Sequence, residues 1–242
     1  EVEAVDHCNL RCDQCCPLSP HRPARQVDPS DLSSALSRLA EVLQPNLLKL
    51  TGGEPLLHTE IVECIRAARS SNIAHQIQVT TNGFLLPKMA DAFWEGIDRL
   101  TLNWYSSKPL DDEIITLAHE KCDDHQVVLL IKPATHFKQL TPTNQNQPEE
   151  VREIYDRCWL KDRCHLLRDR VFYTCTRPPA LQHWFDIPLT EHDGIALDEP
   201  QLRERLFAYL TQDEPLRSCH WCLGDSGSWT EHRQLPPGSV GP

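Results

Sequence analysis

The amino-acid sequence predicts an α/β fold, with a parallel sheet in its first part and a smaller cysteine-rich unit behind it. Through the first 145 residues, apolar runs of strand length alternate with segments of helical period, which is typical of βαβ units. The polar, proline-flanked stretch 141–150 interrupts this alternation, and the chain beyond it has five cysteines and little regular periodicity. We therefore expect two domains, over residues 1–145 and 146–242.

The alternation predicts the elements of the first domain in order. Its apolar runs of strand length are residues 3–5, 47–50, 77–79, 100–104 and 127–131, with a sixth strand near 137–140. Apolar residues recur at helical spacing over residues 31–43, 60–68, 89–94 and 111–119. For the second domain, the sequence predicts a β-hairpin between Cys164 and Cys175 and one helix over 201–210.

Charge and composition exclude several classes of function. The chain has 35 acidic and 24 basic residues, and this net charge of −11 argues against a nucleic-acid partner, because phosphate contacts need clustered lysine and arginine. No apolar run is long enough for a membrane span, and no pattern marks a signal peptide. The eleven cysteines have spacings typical of metal ligation, so we expect a protein of the reducing cytoplasm.

Three cysteines lie close together directly after the first predicted strand: Cys8, Cys12 and Cys15, in a CxxxCxxC run. Three thiolates on one tight loop can hold three irons of a 4Fe–4S cube and leave the fourth iron open for a small molecule. A zinc site is the alternative, although zinc prefers paired CxxC elements or a CxxC with two histidines. The triplet alone leaves both interpretations open.

The second predicted strand runs into the motif Gly52-Gly53-Glu54-Pro55. Glycines at a strand end let the backbone approach a ligand closely, and Glu54 can accept hydrogen bonds from an ammonium group. By itself the motif is also typical of an ordinary turn. It follows the cysteine triplet by about 37 residues, and the two motifs in this order resemble those of the radical S-adenosylmethionine (SAM) superfamily.

This resemblance implies a partial (β/α)6 barrel, to which the five strands and the sixth near 137–140 would correspond. It implies that Cys8, Cys12 and Cys15 hold a 4Fe–4S cluster, and that SAM binds at the open iron beside Gly52, Gly53 and Glu54.

The resemblance also marks polar residues at the ends of later strands as contacts of SAM or of the substrate: Thr81, Asn82 and Asn103. Asn103 stands where relatives usually have serine. Ile131 would pack on the adenine ring or serve as a plain core residue. Relatives often have an aromatic residue at the position of Gln14, so adenine packing in this chain must come from elsewhere.

Five further cysteines occupy the second domain: Cys158, Cys164, Cys175, Cys219 and Cys222. A hairpin that ends in cysteine, followed by a distant CxxC, resembles the twitch domain, the shortened relative of the SPASM domain. It implies a second, auxiliary 4Fe–4S cluster. The cysteine pattern of that domain implies Cys158, Cys175, Cys219 and Cys222 as the ligands, with Cys164 a free thiol or an alternative ligand. A four-cysteine zinc site is the alternative.

The resemblance implies an oxidoreductase or isomerase type of enzyme in which a 5′-deoxyadenosyl radical takes hydrogen from a small molecule. The electron would come from an external flavodoxin-like or ferredoxin-like protein. Because no leader-binding segment precedes the first strand, we expect a sugar-like, aminocyclitol-like or nucleoside-like intermediate of natural-product biosynthesis. Dehydrogenation and epimerisation are the expected outcomes, with Cys164 as a candidate hydrogen-atom donor. The competing hypotheses are a peptide-modifying maturase and a non-catalytic iron–sulfur or zinc-binding module.

Overall fold

The computed structural model describes residues 1–190, 192–236 and 238–239. Its strands are β1 (Val2–Val5), β2 (Leu47–Gly52), β3 (Gln76–Thr81), β4 (Arg99–Tyr105), β5 (Val128–Ala134), β6 (His136–Lys138), β7 (Leu166–Arg168), β8 (Val171–Tyr173), β9 (Ile195–Ala196) and β10 (Trp229–Glu231). Its helices are α1 (Pro29–Ala40), α2 (Ile61–Ser70), α3 (Asp91–Gly96), α4 (Asp112–Asp124), α5 (Pro148–Arg157), α6 (Leu160–Arg163), α7 (Pro178–Phe185) and α8 (Leu202–Thr211).

One sheet organises most of these strands, in the order β5-β4-β3-β2-β1-β7-β8-β9. The neighbours from β5 to β7 run parallel, whereas β8 is antiparallel to both β7 and β9. The α/β class and the strands β1 to β5 are thus confirmed to within a few residues. Within the described residues, no helix is long and apolar enough to cross a membrane.

The first helices show why the predicted pattern holds. Pro29 opens α1 at the position where a missing N–H costs nothing, and the Asp28 carboxylate accepts hydrogen bonds from the amides of Ser30 and Asp31. The same helix buries apolar residues at helical spacing against the sheet, where the strand residue Leu50 is fully buried. These helices and strands form one core, above which the carboxyl ends of the strands lie together.

The prediction of a sixth strand near 137–140 in this sheet is wrong. The strand exists as β6, but it forms a separate sheet with β10, in which Lys138 lies opposite Trp229. The place beside β1 is taken by β7, through the pair Val2 and Leu167. This pairing across the middle of the chain leaves no local pattern in the sequence. The predicted boundary between residues 145 and 146 stays a prediction, and the main sheet crosses it.

The predicted hairpin of the second domain is present as β7 and β8. Asp169 and Arg170 form its turn with φ angles of 51° and 60°, the left-handed conformation that a two-residue hairpin turn requires. Arg170 adopts it without being glycine, and its guanidinium forms an ion pair with Asp198 at 2.6 Å. The helices α5, α6 and α7 were not predicted; α6 has only four residues, whereas α5 buries Val151, Ile154 and Tyr155 at helical spacing and was overlooked.

A buried ion-pair network joins the hairpin to β1. Arg22 contacts Glu3 at 3.0 Å and Asp6 at 2.9 Å, and Arg168 contacts the same two carboxylates. Burial alone would raise the pKa of Asp6, but the guanidinium groups of Arg168 and Arg22 lower it below its usual value. The network fixes the start of the first cysteine loop against the second half of the chain.

Candidate active site

A cavity of about 460 Å³ lies at the carboxyl ends of the parallel strands. This volume is in the range of small-molecule sites. Its lining brings together ten of the predicted residues: Cys8, Cys12, Cys15, Gly52, Gly53, Glu54, Thr81, Asn82, Asn103 and Cys164. Ile131 is not among the described lining residues and is half-buried against the core. Three separate sequence motifs therefore share one cavity.

The two glycines after β2 are required by the packing of two backbones. A Cβ atom at Gly53 would lie 1.9 Å from the carbonyl oxygen of His7, and one at Gly52 would lie 2.2 Å from that of Val5. Gly52 also has a φ of +128°, which side chains rarely allow. The glycines thus admit the loop that carries Cys8, and the expectation that they also make room for a ligand stays a prediction.

Two backbone hydrogen bonds join the end of β2 to the segment that leads from β1 into the cysteine loop. The amide of Gly53 donates to the carbonyl oxygen of Val5 at 2.9 Å, and the amide of Glu54 donates to that of His7 at 3.0 Å. The β2 end and the cysteine loop thus form one rigid unit.

Glu54 is almost fully buried, at 1% exposure, and its carboxylate already has protein partners. One oxygen accepts from the amide of Leu56 at 3.0 Å and the hydroxyl of Thr81 at 2.6 Å, and the other accepts from the amide of Asn82 at 2.8 Å. Burial raises the pKa of Glu54 to about 7, against these hydrogen bonds. The side chain therefore ties the end of β2 to the end of β3.

Asn82 continues this network to the cysteine loop. Its side-chain amide donates to the Asn9 side chain at 2.7 Å and lies 3.7 Å from the Cys8 sulfur. The sequence analysis missed Asn9, which lies between two cysteines of the triplet and has no motif of its own. The three motifs are thus hydrogen-bonded as well as adjacent.

The thiols of the triplet are surrounded by donors. The amide of Leu10 lies 3.4 Å from the Cys8 sulfur, and the side-chain amide of Gln234 lies 3.4 Å from the Cys12 sulfur. Burial raises the pKa of Cys8 to about 12 and also raises those of Cys12 and Cys15. A bound metal deprotonates its thiol ligands, so these buried thiols with N–H donors suit a site that a metal cluster fills.

Residues 229–235, here called the C-terminal strap, cover the first cysteine loop. The Gln234 side chain accepts from the amide of Arg11 at 2.8 Å, and Leu235 donates its amide to the carbonyl oxygen of Arg11 at 2.7 Å. Arg233 forms an ion pair with Asp13 at 2.6 Å. No sequence signal predicted that Gln234 would contact Cys12, which lies 222 positions earlier in the chain.

Tyr105, at the end of β4, also lines the cavity and was missed. Its ring stacks on His232 of the strap with a centroid distance of 4.8 Å and meets Phe137 edge-on at 5.9 Å. An aromatic ring therefore lines the cavity, although the residue before Cys15 is Gln14.

The distal cysteines divide between two cavities. Cys158, Cys175, Cys219 and Cys222 line a small cavity of their own, whereas Cys164 lines the large cavity. Backbone amides again face sulfur, with Arg177 donating to Cys175 at 3.4 Å and Gly224 to Cys222 at 3.3 Å.

Burial raises the pKa of Cys164 to about 11. In the part of the chain that the structure describes, no three or more His, Cys, Asp or Glu side chains are grouped so as to hold a metal ion as they stand. Neither cysteine set is thus a closed site for a single ion. Buried thiols and N–H groups directed at sulfur, which are features of iron–sulfur sites, are present at both cysteine sets.

Comparisons with known proteins agree with this geometry. A family model described as the Radical SAM superfamily matches residues 2–124, about half of the chain. The GTP 3′,8-cyclase of Microcystis aeruginosa (strain NIES-843) is 33% identical over 113 residues, which are 45% of this chain and 34% of that protein. The GTP 3′,8-cyclase of Lactiplantibacillus plantarum is 36% identical over 105 residues, which are 42% and 32% of the two chains. The matched stretch spans about a third of the length of these curated relatives.

Among solved structures, the crystal structure of BtrN in complex with AdoMet and 2-DOIA is similar over 88% of this chain and 81% of BtrN. The TM-score is 0.55 at 13% sequence identity, so this likeness concerns the fold alone. The family match includes the cysteine triplet, the Gly-Gly-Glu-Pro motif and the end of β3, which meet at the large cavity. This chain therefore belongs to the radical SAM superfamily.

Proposed function

We propose that this chain is a radical SAM enzyme that abstracts hydrogen from a small polar molecule bound in the large cavity. The observation that carries the proposal is the convergence of the three thiols and the ends of β2, β3 and β4 on that one cavity. When bound, a reduced 4Fe–4S cluster supplies the electron that cleaves SAM into methionine and a 5′-deoxyadenosyl radical.

The chain's own residues would bind and orient these groups. Cys8, Cys12 and Cys15 hold the cluster, and Glu54 keeps the ends of β2 and β3 in register for the amino-acid part of SAM. Asn103 and Tyr105 offer a polar contact and an aromatic surface to its nucleoside part. The C-terminal strap covers the cysteine loop on its outer side and limits access of water to it.

We assign the distal cysteines Cys158, Cys175, Cys219 and Cys222 to an auxiliary 4Fe–4S cluster, as in the twitch domain. They line one cavity together, and Cys164 lies elsewhere. The alternative, a zinc site with four cysteine ligands, would use the same four thiolates, and metal analysis of the purified protein separates the two. The auxiliary cluster can accept the electron that the substrate radical releases, which favours net oxidation of the substrate.

The charge of the cavity restricts the substrate. Among the described lining residues, four are acidic, Glu1, Glu3, Glu54 and Asp225, and one is a lysine, Lys138. That lysine donates to the Asp225 carbonyl oxygen at 2.9 Å and is ion-paired with its carboxylate. Polyphosphates are bound in proteins mainly by arginine and lysine. The lining therefore suits a neutral or amine-bearing substrate, such as a sugar, an aminocyclitol or a nucleoside.

A second candidate is a cyclase that acts on a nucleoside triphosphate. The curated relatives named above favour it, since both are GTP 3′,8-cyclases. The lining of the cavity weighs against it: among the described lining residues there is no arginine, and the one lysine, Lys138, is ion-paired with Asp225, so a triphosphate would meet no unpaired lysine or arginine there.

Anaerobic incubation of the reconstituted protein with SAM and reductant tests the proposed function. We expect 5′-deoxyadenosine to form with dithionite, and with a reduced flavodoxin as the physiological type of donor. An iron–sulfur carrier or a zinc module would form none. Binding of GTP and of 2-DOIA to the SAM-loaded protein then separates the two substrate classes, and tighter binding of GTP would favour the cyclase.

The alternative outcome to net oxidation is an epimerisation, in which the thiol of Cys164 returns a hydrogen atom to the substrate radical, and the Cys164 thiyl radical then takes one electron from the reductant and one proton from water. In deuterated water, with 2-DOIA as trial substrate, the product should then contain one deuterium and be otherwise unchanged in mass. Cys164→Ala should abolish this incorporation, measured by mass spectrometry. Cys16→Ala is the matched control, since Cys16 also lines the cavity. A product two hydrogens lighter, formed equally by the Cys164→Ala variant, would eliminate the donor role.

A further inference from the structure

Arg177 is a buried arginine between the two cysteine sets. It is 1% exposed, and it lines the small cavity together with Cys158, Cys175, Cys219 and Cys222. Its guanidinium donates to the carbonyl oxygen of Cys16, next to the triplet, and to the hydroxyl of Thr141 at 2.7 Å. Its Nε is buried and has no hydrogen-bond partner.

The charge of this guanidinium lacks a carboxylate partner. Arginine stays protonated in proteins, and no Asp or Glu of the described residues lies within ion-pair distance of Arg177. The buried Arg22 and the half-buried Arg168, by contrast, each contact two carboxylates. A buried charge without a counter-charge is strongly destabilising, so the site around Arg177 calls for an anion.

The surrounding cysteines can provide this anion only when they are ionised. Cys175 and Cys222 lie on the same cavity as Arg177, and the backbone amide of Arg177 already donates to the Cys175 sulfur at 3.4 Å. Four thiolates around an iron–sulfur core carry net negative charge, and adding an electron increases it. Net charge and hydrogen bonds to sulfur are among the factors that set the reduction potential of such a cluster.

We propose that Arg177 is the counter-ion of the cluster held by the distal cysteines and raises its reduction potential. The guanidinium favours the reduced, more negative state and so makes the cluster a better acceptor of a substrate electron. This inference rests on the auxiliary cluster of the proposed function. It attributes the raised reduction potential of that cluster to Arg177, which is not one of the cluster's ligands.

A redox titration followed by electron paramagnetic resonance tests the proposal. The full chain carrying Cys8, Cys12 and Cys15→Ala leaves the distal cluster as the source of the signal, with about four irons expected. In this background, Arg177→Gln should disfavour reduction at least tenfold, which is about 59 mV for one electron. Arg177→Lys, which keeps the charge, should restore most of the loss. Arg152→Gln is the control, because Arg152 is an exposed arginine of α5 paired with Asp156 and Asp213.

Each outcome decides the matter. Equal potentials in the Arg177→Gln variant and its parent would overturn the proposal. If the Gln variant loses iron and the Lys variant retains it, the need for a positive charge is supported. Loss of iron from both variants would overturn it, since packing would then explain the residue. A background protein that binds no iron would refute the auxiliary cluster itself, before any potential is measured.

Discussion

Replacing Cys8, Cys12 and Cys15 together by alanine is expected to lower the iron content from about eight to about four per chain. The same variant should form no 5′-deoxyadenosine from SAM. The reason is that these three thiols line the large cavity, whereas the four distal cysteines line another, where the proposed auxiliary cluster would be retained. Iron analysis and chromatography of the SAM reaction measure the two effects.

Cys122→Ala is the matched control for this experiment. Cys122 is buried in α4, away from both cavities, and its replacement should leave about eight irons. Stoichiometric zinc at the distal site of anaerobically purified protein would contradict the auxiliary cluster. Undiminished SAM cleavage by the triple variant would contradict the role of the triplet.

Gly53→Val is expected to abolish binding of the first cluster as well as of SAM. A Cβ atom at this position would lie 1.9 Å from the carbonyl oxygen and 2.4 Å from the carbonyl carbon of His7. Both atoms belong to the backbone of the cysteine loop, so no side-chain rotation relieves the collision. We expect a loss of roughly 1–3 kcal/mol in the free energy of unfolding from such overpacking. Iron content should fall to about four.

Gly238→Ala provides the comparison: its φ of +78° also strains a side chain, but a Cβ atom built there meets nothing within 4 Å, so this variant lacks the collision. Urea denaturation and iron analysis of both variants are the measurements. If Gly53→Val keeps its full iron content and only its SAM affinity falls, the glycine makes room for the ligand and not for the cysteine loop.

The strands of the first half could be predicted from the sequence because their signals are local. Each apolar run is bounded by polar residues or glycine, and the observed β2 and β4 extend the predicted runs by only one or two residues. The same holds for the hairpin around Asp169 and Arg170, where a short polar turn separates two apolar runs.

The sequence predicted which residues belong to the candidate site, but not which of them contact one another. Motif spacing predicted Glu54 and Gly53, yet their partners Asn82 and His7 depend on how the ends of β1, β2 and β3 meet in space. Arg177 and Gln234 carry no motif at all. Their roles arise from long-range packing, which a reading of neighbouring residues does not contain.

The C-terminal strap has a consequence for the biogenesis of the protein. Gln234 is synthesised 222 residues after Cys12, whose sulfur it contacts. At ordinary translation rates this separation corresponds to roughly ten to forty seconds on the ribosome. During that interval the first cysteine loop has no cover from the strap, so scaffold proteins that deliver iron and sulfide have free access to its thiols, and so does dioxygen.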